Sequence, residues 1–225
     1  MTQSKEKIAL AWSGGKDCAL MLYELQQSQS YEVTELLVTM TENENRVNIH
    51  GIPKALLEKQ AASLGLPLVK MCVPQYPSNE LYEARWGTLV LNRKKAGIKT
   101  VAFGDIFLRD IRAYRENQAA RFGVTPIFPI WKKDTDELIH KFIEEGFKAV
   151  VTCVNPKVLD PSFARRTIDE QFLQDLPEDV NPCGENGEYH SFVYDGPIFA
   201  NPIPFSVSPS NIEDSFYHYC ELREI

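Results

Sequence analysis

The chain has 225 residues, enough for one large α/β domain or for one domain with an appended lobe. Its apolar fraction of 44% is ordinary for a packed core, and its formal charge of −7 argues against bulk nucleic-acid binding. No apolar run reaches membrane-spanning length, and the polar start Met1–Lys7 does not read as a signal peptide, so a cytoplasmic protein with no membrane partner is expected. The five cysteines are scattered without a C-x-x-C pair, which speaks against a disulfide framework and a structural zinc site.

The apolar run Ile8 to Trp12 reads as a short buried strand. Ser13-Gly14-Gly15 breaks it, and from Lys16 the spacing of Leu20, Met21, Leu22 and Leu25 suits a helix. A strand, a glycine turn and a helix in that order set unpaired N–H groups and a favourable dipole around an anion. Lys16 adds a full positive charge. The dipole contributes ~0.3–1 kcal/mol at an exposed terminus. Charge-assisted hydrogen bonds contribute roughly 1.5–3 kcal/mol each, so direct contacts should dominate. The pattern is not the G-x-x-x-x-G-K-[ST] P-loop.

Val33–Thr39 reads as a second strand. Its end, Val38, Thr39 and Met40, falls where a parallel sheet presents backbone to an adenine. A polar loop follows from Glu42 to Arg46, and Pro53–Leu64 has helical spacing with Pro53 in the first turn. His50 reads as a satisfied helix-entry histidine or, on equal footing, as a site residue. Leu66–Val73 is a third strand, and Glu80–Lys95 a helix closed by Gly97. Thr100–Asp105 is a fourth strand ending in Gly104-Asp105. That aspartate suits Mg²⁺, a ribose or a helix N-cap. Arg109, Arg112 and Arg115 share one helical face, and Arg112 is assigned to the cleft. Pro126 marks Val124–Phe128 as an edge or bent strand.

Asp134 and Glu137 fit a capping box opening a helix that Gly146 closes, and Lys148–Val154 is a fifth strand. Strands alternating with helices to residue 154 predict a doubly wound, mostly parallel sheet over residues 1–155. Residues 156–225 are expected to form a smaller C-terminal α+β lobe and tail. There Phe163–Leu173 reads as a helix, Phe192–Tyr194 as a strand, and Ile198–Ala200 as its hairpin return. The tail is expected to lie on the main body or on a second subunit, which would make a homodimer. Gly184-Glu185-Asn186-Gly187-Glu188 places two carboxylates three apart in a glycine turn. Such a turn can aim both acids at one point to hold Mg²⁺, a cationic substrate or a proton.

Ser13-Gly14-Gly15-Lys16-Asp17-Cys18 resembles the S-G-G-x-D-S pyrophosphate loop of the N-type ATP pyrophosphatases, with Cys18 in place of the final Ser. The loop, Asn48-Ile49-His50, Phe103–Ile106 with its arginine helix, Pro129–Trp131, Leu159-Asp160 and Gly184–Ser191 together resemble the diphthine–ammonia ligase family, up to Phe199. The resemblance implies a Rossmann-like, adenine nucleotide alpha hydrolase-like fold. It also implies ATP-dependent adenylation of a carboxylate, release of pyrophosphate and amidation by ammonia. Ser13 to Cys18, Val38, Thr39, Met40 and Gly104 would bind the nucleotide, and Asp17 or Asp105 would bind Mg²⁺. Lys16, Asp17, Glu185 and Glu188 would be catalytic. Asn48, His50, Arg112, Glu185 and Glu188 would meet a carboxylate-bearing acceptor, either a small molecule or a protein side chain. Two other readings fit parts of this pattern: a tRNA-modifying enzyme with the same loop, and a non-catalytic adenine-nucleotide sensor.

Overall fold

A computed structural model describes residues 4–42, 46, 47, 49–209 and 216–225. In chain order the first half runs β1 (Glu6–Ala11), α1 (Lys16–Gln27), β2 (Tyr31–Thr41), β3 (Arg46–Val47), α2 (Lys54–Leu64), β4 (Leu68–Val73), α3 (Asn79–Lys95) and β5 (Thr100–Ala102). The second half runs α4 (Arg109–Phe122), β6 (Thr125–Ile127), α5 (Thr135–Glu144), β7 (Lys148–Val154), α6 (Glu170–Asp175), β8 (Tyr189–Asp195), β9 (Phe205–Pro209) and β10 (His218–Glu224).

The main sheet pairs β4, β2, β1, β5 and β6 in parallel, with β3 antiparallel on the far end of β2. Chain order reverses between β1 and β5, the place in open α/β sheets where ligands bind beyond the carboxyl ends of the strands. Alternation along the strands sends side chains to two faces. Ile8, Leu10, Leu36 and Val38 pack with Leu20, Met21 and Leu57 of α1 and α2. Ala9, Leu37, Val101 and Phe103 pack with Trp86 and Val90 of α3 and Ala119 of α4. Helices therefore cover both faces, as expected of a doubly wound sheet, and β6 with Pro126 is its edge.

A second, antiparallel sheet has the order β8, β7, β10, β9. Lys148–Val154 is a strand with the expected bounds, but it belongs to this sheet and not to the parallel one. Residues 149–154 are all buried, and an apolar run covered on both faces reads alike in either kind of sheet. The second sheet thus begins ahead of residue 155. Its Val150, Val151, Phe192 and Val193 share one apolar cluster with β1 and α1.

Two local expectations are corrected. The single helix over Phe163–Leu173 is instead a short 3-10 turn (Pro161–Phe163) followed by α6, because Asp160 and Asp169 each cap a separate start. Ile198–Ala200 does not return as a hairpin strand: Ala200 N–H bonds to the Ser63 carbonyl, and the partner of β8 is β7. The tail lies on the main body, where β9 and β10 form a hairpin whose β10 pairs with β7. No helix among the described residues is long and apolar enough to cross a membrane.

Candidate active site

The β1–α1 turn sits at the sheet's reversal point. Gly14 has φ +85°, and a Cβ there would fall 2.8 Å from Leu57 Cδ2 and 2.9 Å from Gln60 Oε1. The loop is tied from inside by Cys18. Ser13 N–H donates to Cys18 Sγ at 3.4 Å, and the thiol donates to the Ala11 carbonyl at 3.4 Å. Burial pushes that thiol up to about 11, so it stays neutral. Gly15 N–H donates to Ser13 Oγ at 3.3 Å. Past Lys16, the N–H groups of Asp17 and Cys18 in the opening helical turn donate to nothing among the described residues.

Lys16 is 2% exposed, with its ammonium 3.0 Å from Asp17 Oδ2 and 5.1 Å from the centre of the Tyr189 ring. Burial works against the charge, but Asp17 more than offsets it, and the net displacement is upward. Lys16 therefore remains a cation through the neutral range. Asp17 Oδ1 is buried with no hydrogen-bond partner. Gly104, beyond β5, packs on this turn: a Cβ would stand 3.4 Å from the Asp17 carbonyl oxygen and 3.5 Å from Cys18 N.

The second sheet closes the other side. Val193 N–H donates to the Gly14 carbonyl at 3.0 Å, and Lys16 N–H donates to Ser191 Oγ at 3.2 Å. Glu185 reaches over to the segment after β5, where its Oε1 accepts from Ile106 N–H (2.8 Å) and Phe107 N–H (3.3 Å). Burial, reinforced by the charge of Asp17, pushes Glu185 up to about 7 against the pull of those N–H groups. Glu188 turns the other way. Its Oε1 accepts from Asn181 N–H (3.1 Å) and the Asn186 side chain (2.9 Å), and its Oε2 is buried without a partner. The glycine turn therefore sends its two carboxylates in different directions and not to one point.

His50 Nδ1–H donates to the Ser191 carbonyl at 3.4 Å, its ring lies 4.5 Å from that of His190, and burial holds it down at about 4. Both imidazoles are neutral, since burial also holds His190 well below its ordinary value. Asp105 accepts from Arg115 Nε at 2.7 Å, and the Arg115 guanidinium lies 4.6 Å from the Phe103 ring. Arg112 pairs with Glu116 and stands 4.7 Å from both the Phe128 and Trp131 rings. Among the described residues, no cluster of three or more His, Cys, Asp or Glu is arranged to hold a metal. The orphaned Asp17 oxygen fits one ligand of a hydrated Mg²⁺, which takes its remaining ligands from phosphates and water. Asp105 is engaged by Arg115.

A family model described as "Diphthamide synthase N-terminal domain" matches residues 6–126, and the corresponding C-terminal domain model matches residues 134–221. The chain belongs to the diphthine–ammonia ligase family. It is 25% identical to the diphthine–ammonia ligase of Mus musculus, over 96% of this chain and 90% of that protein. It is 24% identical to the one from Homo sapiens, over 88% of this chain and 82% of that one. The match to the ligase of Rattus norvegicus is 30% identical over 64% of this chain and 55% of the relative. A solved U34-tRNA thiolase from Methanococcus maripaludis aligns with TM-score 0.39 at 16% identity, over 63% of this chain and 58% of that one. The family match extends beyond Phe199, where the sequence resemblance was expected to stop, and takes in β9 and most of β10.

Within this ligase-family chain, the structure brings Ser13 to Cys18, Gly104, Asp105, His50 and Glu185 together around the β1–α1 turn. Val38 and Thr39 lie past the end of β1 along β2, and Met40 is in register with Val47 and Cys72. Asn48 lies outside the described residues. Of the arginine face, Arg115 is the member that reaches Asp105, and Arg112 lies over the aromatic rings of Phe128 and Trp131. Sequence reasoning missed Gln60. It is fully buried, donates to the Gly14 (3.1 Å) and Val193 (2.6 Å) carbonyls, and accepts from Trp12 Nε1 (3.0 Å). Its signal was legible: a polar residue on the same helical face as Leu56, Leu57 and Ala61. Tyr189 and Ser191 lie in the Gly184–Ser191 motif, whose sequence alone assigns them no role.

Proposed function

We propose that the chain is an ATP-dependent carbon–nitrogen ligase that activates a carboxylate as an acyl-adenylate and amidates it with ammonia. The acceptor carboxylate attacks the α-phosphorus, and pyrophosphate leaves. Ammonia then attacks the acyl carbon, AMP leaves with the bonding electron pair, and the nitrogen gives up a proton. The names of the relatives support a diphthine-type acceptor.

One observation carries the reading. A buried Lys16 ammonium paired with a partly exposed Asp17 lies beside a glycine turn at the switch point of a parallel sheet, with Glu185 arriving from the turn ahead of β8. Lys16 and the Asp17 and Cys18 N–H groups stabilise the leaving pyrophosphate, and this is catalysis by positioning and charge. Asp17 would hold Mg²⁺, which neutralises phosphate charge when bound. Glu185, pushed up to about 7, is matched to accepting the ammonia-derived proton near neutral pH.

The test is the product of turnover. With ATP, Mg²⁺, ammonium and a diphthine-bearing protein, AMP and pyrophosphate should form together with the amide, and neither should form without the acceptor. Release of ADP and phosphate overturns the reading, and tight ATP binding with no turnover across a panel of carboxylates favours a sensor.

A further inference from the structure

Strand β8 meets the nucleotide loop from the second sheet. Besides the Val193–Gly14 hydrogen bond, Ser191 lays its hydroxyl at the first N–H of α1, accepting from Lys16 N–H at 3.2 Å. The N-cap position is Gly15, which makes no side-chain capping bond, so Ser191 caps the helix from another sheet.

A hydroxyl has one proton and two lone pairs. Lys16 N–H uses a lone pair. The proton has no acceptor among the described residues, although Ser191 is 1% exposed. The groups beside it are also donors short of acceptors. Among the described residues, the Lys16 ammonium donates only to Asp17, and the Asp17 and Cys18 N–H groups donate to nothing. Cys18 offers no hydroxyl to an incoming ligand because its thiol is turned onto Ser13 and Ala11. A buried cation, a buried hydroxyl and two helix N–H groups, all with unused protons, are complementary to a multiply charged oxyanion.

We infer that Ser191 is a phosphate-contacting residue of the nucleotide site. Its oxygen is held by Lys16 N–H, and its proton is donated to a pyrophosphate oxygen. The second sheet therefore completes the anion site that the first sheet begins. This rests on the nucleotide reading above.

The experiment is titration calorimetry of the full chain with magnesium pyrophosphate and, separately, with adenosine. Ser191→Ala should bind pyrophosphate roughly 10- to 100-fold more weakly, the loss of one charge-assisted hydrogen bond, with adenosine binding unchanged. Ser191→Thr should bind as the wild type does. Ser191→Cys, which keeps the shape but has a weak donor, should lose affinity in the same direction and serves if the alanine variant does not fold. Undiminished pyrophosphate binding by the folded alanine or cysteine variant overturns the inference. So does an equal loss for adenosine, which is what a purely structural cap would give. A wild type that binds neither pyrophosphate nor ATP takes down the nucleotide reading as well.

Discussion

Replacing Glu185 by glutamine keeps the side chain's shape and an acceptor oxygen for the Ile106 and Phe107 N–H groups, and removes only its ionisation. In the folded chain this carboxyl holds its proton up to about 7, against an ordinary value of 4.5. Between those two values the folded state binds more protons than the unfolded one. The contribution of Glu185 to stability is therefore fully present below 4.5, falls as pH rises towards about 7, and is level beyond. At full burial the loss would be about 3 kcal/mol. The side chain is half-buried, and solvent screening reduces this to about 1–2 kcal/mol. Glu185→Gln has no such loss. Relative to wild type it should gain ~1–2 kcal/mol between about pH 5 and about pH 8. Urea unfolding followed by tryptophan fluorescence measures this directly, since Trp12 and Trp86 are buried and report on the fold. The same variant should bind ATP yet lose amide formation. Parallel stability curves for the two proteins across that range would refute the assignment of a raised Glu185 and, with it, its role as the proton acceptor.

Three further outcomes follow from the same geometry. Gly14→Ala places a Cβ at φ +85° against Leu57 and Gln60. Urea unfolding should show a loss of ~2–4 kcal/mol, from backbone strain and overpacking together. Gln60→Leu strips the acceptor from Trp12 Nε1–H and a donor from two carbonyls. It should cost ~2–4 kcal/mol and raise the KM for ATP, measured by initial rates. Arg115→Met leaves Asp105 without its cation. It should destabilise by about 2 kcal/mol in thermal or urea unfolding, less than a fully buried pair would lose, because Arg115 is partly exposed.

Strands β1, β2, β4 and β5 and helices α1 to α4 were legible because each carries a local signal: an apolar run, a helical stripe, a proline at the start or a glycine past the end. The glycine turn between the first strand and the first helix pointed to the site, and the structure puts that turn at the sheet's reversal point. Partnership between distant segments had no such signal. Lys148–Val154 announces a buried strand, but nothing in seven apolar-rich residues says which sheet it joins. The same limit applied to the acids. Glu185 and Glu188 share a turn, yet their directions are set by Ile106 and Phe107 on one side and Asn181 and Asn186 on the other. Equal spacing of three arginines gave Arg112 to the cleft, whereas Arg115 is the one that reaches Asp105, and Arg112 lies over the Phe128 and Trp131 rings.

The position of Gln60 shows why the site cannot be divided at a chain boundary. One buried amide joins Trp12 at the end of β1, Gly14 in the loop and Val193 on β8. Trp12 and Val193 belong to one apolar cluster, which Ile8, Leu57, Val151 and Phe192 share across both sheets. A fragment ending near residue 155 would keep the glycine turn but lose Glu185, Ser191 and the β8 backbone that fixes the Gly14 carbonyl. It would also expose the apolar side chains of β7. An isolated first lobe should therefore bind ATP weakly and expose enough apolar surface to bind a hydrophobic dye, whereas two independent domains would each stay folded and leave nucleotide affinity intact.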